Sequence, residues 1–219
     1  MFPRLPKVTQ ALLIANVVVF LLQKSLGDFA LANFMLWPPN SGLYSSDQPG
    51  FEIWQLLTYG FMHGSFSHLF FNMLALYMFG APLEQTWGEK RFLTYFLVCV
   101  VGAGLLQLIV GWWVMSNGGT AYPTVGASGG VFGLLLAYGM LFPNHRVMLL
   151  IPPIPMKART FVILYGAAEL LLGFTGWQPG VAHFAHLGGM LFGWLLIRYW
   201  RGQSPFGGRG GGPRMRIVK

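Results

Sequence analysis

The stretch FLTYFLVCVVGAGLLQLIVGWWV, residues 92–114, holds 23 consecutive residues without a single charge. As a helix rising about 1.5 Å per residue it is long enough to cross the roughly 30 Å hydrocarbon layer of a bilayer, so it predicts a membrane span. The rest of the 219-residue chain agrees: 54% of residues are hydrophobic and only 9% are charged, against about 25% charged in soluble proteins. With 19 Phe, 8 Trp and 11 Met and so little charge, neither a disordered chain nor a coiled coil fits. Long apolar stretches recur at residues 8–26, 67–83, 92–114, 128–142, 161–174 and 181–200. They predict an all-α fold, a polytopic bundle of six transmembrane helices in one domain over residues 1–200. The fourth and fifth stretches are short for a full crossing. Residues 201–219, with GGRGGGPRMR, read as a Gly/Arg-rich cytoplasmic tail without fixed structure.

Charge sets the expected orientation. Of 14 Lys and Arg, 13 precede the first stretch, follow the second or fourth, or end or follow the sixth, and only Lys24 lies on the other side. Positive residues collect in cytoplasmic loops, so both termini are expected in the cytoplasm. The same placement accounts for most of the net charge of +8, which argues against nucleic acid as a partner and for the lipid bilayer. The first stretch also has features of a signal peptide, with Arg4 and Lys7 before it and Ala30-Leu31-Ala32 after it. The long interval from 22 to 32, carrying Lys24 and Asp28, favours a retained helix. Cys99 is the single cysteine, so no disulfide forms within the chain. The Pro-rich residues 151–155 predict an inner loop, and the outer loop after the first stretch is long enough to carry structure of its own.

Polar residues inside such a chain are informative, because each is unfavourable by a few kcal/mol (about 2.5–3.5 for a charge) unless paired or wetted. They gather at the outer helix ends. The second stretch begins His63-Gly-Ser-Phe-Ser-His68-Leu-Phe-Phe-Asn72, with His68 and Asn72 four apart on one face. The fourth begins Gly126-Ala127-Ser128-Gly129-Gly130, and the sixth carries His183 and His186 three apart in its first turns. Gly129, Gly133 and Ala137 on the fourth and Gly189 and Gly193 on the sixth form small-residue ridges that let helices approach closely. Such a contact brings the Ser128 turn against the His186 turn, a hydroxyl beside an imidazole, which is a nucleophile with its general base. Taken singly, Ser128 reads as a helix cap, each His as an interfacial residue and Asn72 as helix–helix glue. Four such features at one depth on three helices argue for a joint role.

These motifs together resemble the rhomboid intramembrane serine proteases: H-x4-H-x3-N (His63, His68, Asn72), G-x-S-G (Gly126, Ser128, Gly129) and A-H-x-x-G-x-x-x-G (Ala185, His186, Gly189, Gly193). The resemblance implies a serine endopeptidase with Ser128 as nucleophile, His186 as its base in a dyad, and His68, Asn72 and the Ser128 amide as oxyanion donors. Supporting positions are His63, Phe132, His183, Gly126, Gly129, Gly189 and Gly193. It implies no metal and no cofactor, and substrates that are single-span membrane proteins. It also implies a structural acid at Glu84, while the charge bias puts the active site on the outer side and the small core suggests a bacterial plasma (inner) membrane. Two positions depart from the pattern: Phe132 stands where Tyr is frequent, and Trp54-Gln55 where Trp-Arg is frequent.

Two alternatives stay open at this stage. A catalytically silent rhomboid-like chaperone shares the fold, and a bis-His haem protein uses His63, His68, His183 and His186 as ligands. A zinc protease lacks its H-E-x-x-H signature. Glu169, the one carboxylate deep in an apolar stretch, is a functional-site candidate by its position alone, for instance in the lateral path that the fifth helix borders in the family, and is not assigned a catalytic part. With no acid near His186 in the sequence, the orientation of that ring is expected to come from Phe132, local backbone or His183.

Overall fold

The computed structural model describes residues 5–39, 49–120, 122–148, 153–175 and 182–203. The tail at 204–219 and positions 151–152 of the Pro-rich stretch lie outside the described residues. The chain is mostly helical: α1 (Lys7–Leu26), α2 (Asp28–Phe34), α3 (Gln55–Thr58), α4 (Phe66–Trp87), α5 (Glu89–Ser116), α6 (Ser128–Leu141), α7 (Ala158–Thr175) and α8 (His183–Trp200). Among the described residues α1, α4, α5 and α7 are long and apolar enough to cross a membrane. The expected all-α fold needs one correction. Two short strands, β1 (Arg146–Met148) and β2 (Pro155–Lys157), pair antiparallel where a loop was expected. Pro155 is the first residue of its strand, a position where the missing N–H interrupts no ladder.

Local chemistry explains where the helices begin and bend. Ser65 caps α4, its extended backbone (φ −150°, ψ 163°) letting the hydroxyl accept the His68 N–H at 3.1 Å. Within α4 a π-helical turn at Leu76–Gly80 precedes Pro82. The wider turn absorbs a residue that has no N–H and whose ring crowds the preceding turn. Apolar patterning alone ends this helix at 83, yet it runs on to Trp87, because Glu84 has partners inside the fold. Gly88, with φ +78°, makes the sharp join from α4 to α5, and its N–H returns to the Glu84 carbonyl at 2.8 Å.

The core lies around α5, α6 and α8. Phe92, Tyr95, Phe96, Cys99 and Ala103 of α5 are fully buried, as are Leu134 and Ala137 of α6 and Ile197 of α8. The glycine ridges do what small residues allow in lipid. A β-carbon on Gly189 would collide with the Gly129 carbonyl, so α6 and α8 touch backbone to backbone at that level. Further in, Gly133 and Gly193 face Cys99 and Tyr95 of α5, which wedges between the two helices, and the Tyr95 hydroxyl donates to the Gly133 carbonyl at 2.8 Å. By contrast, α7 buries only Ala158, Val162 and Glu169 and leaves Ile163, Leu164, Leu171 and Phe174 exposed on its outer face.

The two ends of the bundle differ in chemistry. At one end Glu84, 3% exposed, accepts the backbone N–H of Val8 (2.9 Å) and of Thr9 (2.7 Å) and the Thr9 hydroxyl (2.7 Å). A carboxylate thus satisfies the unpaired amides at the start of α1 and faces the positive end of its dipole. Trp87 packs on Tyr95 and Trp200 nearby, and Arg91 lies over the Trp200 ring. At the other end Gln23 of α1 clamps the backbone of His63, donating to its carbonyl at 2.5 Å and accepting its N–H at 3.0 Å. The N-termini of α4, α6 and α8 meet at this second end.

Candidate active site

Gly126 and Ser128 are positioned by a segment that turns back into the bundle after α5. Leu36 and Thr124 form a two-way backbone bridge (3.0 and 2.9 Å), and the Gly126 N–H reaches the Tyr59 carbonyl at 2.9 Å. Leu36, Thr124, Gly126 and Ala127 are buried, so the non-helical residues just before α6 sit inside the fold, with the Thr124 N–H and carbonyl and the Gly126 N–H paired. Gly126 has φ +130°, and the site of its absent β-carbon lies 2.8 Å from His68 Nε2. The glycine therefore lets the His68 ring lie against the turn that presents Ser128. Ser128 opens α6, where the first backbone N–H groups have no partner within the helix.

The Ser128 Oγ lies 2.8 Å from His186 Nε2. Phe132, one turn along α6, stacks on the His186 ring with centroids 4.2 Å apart and planes 7° from parallel. Asn72 is buried, and one hydrogen of its amide goes to the His68 carbonyl at 3.1 Å, leaving the second hydrogen for another acceptor. His63 is fully buried in the loop before α4, its ring edge-on to His68 at 5.1 Å. Burial first, and then the neighbouring His68, push the His63 imidazole down to about 4, so it is neutral at physiological pH and backs the His68 ring without charge.

One expectation needs correcting. An acid does reach His186: Glu169 Oε2, from α7, accepts Nδ1 of His186 at 2.9 Å and Nδ1 of His183 at 2.7 Å. The partners are 17 and 14 residues apart on different helices, so no spacing in the sequence signals the contact. Glu169, His183 and His186 are also the described group whose ligand atoms lie close enough, within 4.8 Å of one another, to hold a metal ion. The two carboxylate–imidazole separations, 2.7 and 2.9 Å, are those of direct hydrogen bonds. Both ring nitrogens of His186, one of the four histidines of the haem alternative, face protein partners: Nδ1 faces Glu169 and Nε2 faces Ser128.

Beside His68 and Asn72 a cavity of about 420 Å³ opens between α4 and α7 over α6. Phe71 and Met78 of α4, Val131 and Phe132 of α6, and Phe161 and Tyr165 of α7 line it, an apolar groove with its polar groups at one end.

A profile of the rhomboid domain matches residues 50–202. The chain belongs to the rhomboid family. RHOMBOID-like protein 4 of Arabidopsis thaliana is 37% identical to it over 150 residues, covering 67% of this chain and 34% of that protein. The mitochondrial Rhomboid protein 1 of Saccharomyces cerevisiae is 31% identical over 146 residues, covering 63% and 40%. Rhomboid protease GlpG of Yersinia pseudotuberculosis is 25% identical over 198 residues, covering 88% and 62%. The chain thus spans between a third and three fifths of the length of these relatives. Family and apolar helices together make this rhomboid an integral membrane protein.

The second departure from the family pattern has a structural answer in this rhomboid. Gln55, 1% exposed, accepts the Trp37 N–H at 3.1 Å and donates to the carbonyls of Asn33 and Gly50 at 3.4 Å, while the Trp54 indole donates to the Asn33 carbonyl at 2.9 Å. A neutral amide thus joins Asn33, Trp37 and Gly50, among the described residues of the outer loop, through their backbone groups.

Proposed function

We propose that the chain is an intramembrane serine endopeptidase that hydrolyses peptide bonds in or near transmembrane segments of other membrane proteins. The observation that carries this reading is the 2.8 Å approach of Ser128 Oγ to His186 Nε2 beneath the Phe132 stack. In the reaction His186 Nε2 takes the hydroxyl proton as Oγ attacks the carbonyl carbon, then returns it to the leaving amine. Water attacks the resulting acyl-enzyme with His186 again as base. The oxyanion is held by the Ser128 N–H at the positive end of α6, the His68 ring N–H and the second amide hydrogen of Asn72. Each side-chain donor lowers the barrier by about 2.7–4 kcal/mol on the scale of soluble serine proteases.

Six spans with both termini in the cytoplasm fit the 13 basic residues on one side. The end carrying Glu84, Arg91 and Trp200 is then cytoplasmic, and Ser128 lies one or two helical turns below the outer surface of a plasma membrane of bacterial type. The apolar cavity between α4 and α7 supports single-span proteins as substrates, since it offers an apolar side chain a place beside the oxyanion donors. The silent-chaperone alternative is left without a specific observation in its favour, because both the Ser and the His are present and in contact. The test is cleavage of a single-span substrate co-reconstituted in liposomes. Wild-type protein should cut it, and Ser128→Ala and His186→Ala should each lose it while keeping their helical content. Residual activity above a tenth in Ser128→Ala removes the assignment.

A further inference from the structure

We infer that Glu169 is a positioning residue for His186 and completes a Ser128–His186–Glu169 triad, with His183 as a second donor that holds the carboxylate in place. The inference rests on the reading of Ser128 and His186 as nucleophile and base. Glu169 stands in an apolar helix whose other inward residues are apolar, and it is 9% exposed. An ionised carboxylate at such a place needs hydrogen-bond donors. It has two, both on one oxygen: Nδ1 of His183 at 2.7 Å and Nδ1 of His186 at 2.9 Å.

A carboxylate only accepts, so both imidazoles carry their proton on Nδ1. For His186 that leaves the lone pair on Nε2, the atom 2.8 Å from Ser128 Oγ. The serine hydroxyl then donates to Nε2, which is the state a general base requires. In the other tautomer Nε2–H would point at Oγ and could accept no proton. Once His186 has taken the Ser128 proton, the same carboxylate faces an imidazolium in a water-poor site and offsets its charge. Phe132 fixes the plane of the ring, Glu169 its rotation and protonation, and Ser128 sits at the remaining nitrogen, so every degree of freedom of His186 has a named contact. His183, 5% exposed, does for Glu169 what Glu169 does for His186. Because Glu169 belongs to α7 and both histidines to α8, the protonation state of the base also depends on α7 being seated against α8.

The test uses the full chain in detergent, with kinetics and with ¹⁵N-histidine spectra. Wild-type His186 should show the Nδ1–H form. Glu169→Gln, whose amide oxygen can still accept from both histidines but carries no charge to offset the imidazolium, should lower kcat by at least about 10-fold, with KM within about twofold and the melting temperature little changed. Glu169→Asp should recover part of the loss. An Nε2–H form in the wild type overturns the inference whether or not the variants fold. Glu169→Gln with kcat within threefold of wild type, or with a loss confined to KM or to melting, also overturns it. Failure of Ser128→Ala to lose activity would instead remove the nucleophile reading, which the spectra do not use.

Discussion

His68 and Gly126 occupy one space between them: the imidazole fills the volume that any side chain at 126 would take, 2.8 Å from the missing β-carbon. This places a ring N–H beside the helix start where Ser128 stands, and Asn72 lies one turn further along the same face. Both groups act on charge that exists only in the transition state. His68→Ala and Asn72→Ala are therefore expected to lower kcat by about 10²–10³-fold with KM nearly unchanged, and steady-state kinetics on a fluorogenic peptide checks this. Asn72→Ala should be the milder of the two, because His68 and the Ser128 amide remain; a change in KM alone would place both groups in substrate binding. At this scale much was legible. The approach of the Ser128 turn to the His186 turn and the contact of Gly129 with Gly189 follow from small-residue patterning. Glu169 and Gln55 were not legible in their roles, because their partners are a backbone or an imidazole on a distant element, and neither residue type announces such a partner.

Helix α1 lies outside the part of the chain that the family profile matches, yet both of its ends are tied to the bundle. Glu84 holds the first turn and Gln23 the last. Hydrogen bonds to a charged group contribute about 1.5–3 kcal/mol each and are not additive. Glu84→Ala should therefore destabilise the protein by about 2–4 kcal/mol, read as a lower melting temperature in detergent. Since Glu84 stands at the end opposite Ser128, the kcat of the folded fraction should stay within twofold of wild type. A loss of kcat without a loss of stability would mean that α1 shapes the site. Long elements of this kind were readable from uncharged length, because a bilayer demands it. The β1–β2 pair and the π-helical turn at Leu76–Gly80 were not, since three-residue strands and a local widening of one turn leave no periodic trace.

Among the described residues the polar groups proposed for catalysis, Ser128, His186, His68 and Asn72, gather at one end of the bundle, and the basic residues other than Lys24 lie toward the other. A substrate must bring its scissile bond to the polar end, and a helix must unwind there before Ser128 reaches a carbonyl, because helical carbonyls are already bonded. Cleavage is accordingly expected near the outer end of a substrate span, after a small residue and close to Gly or Pro. Replacing those helix breakers with Leu should slow it at least about fivefold, given roughly 1 kcal/mol for each Gly and 3 for each Pro. Mass spectrometry of the products locates the cut, and a cut at the cytoplasmic end contradicts the orientation. The catalytic claim itself is tested most directly by covalent capture. Purified protein treated with a fluorophosphonate and digested should yield one modified peptide bearing the phosphonyl group on Ser128, and His186→Ala should label at least about 100-fold more slowly. An unmodified Ser128 in folded wild-type protein, or equal labelling in His186→Ala, would contradict it.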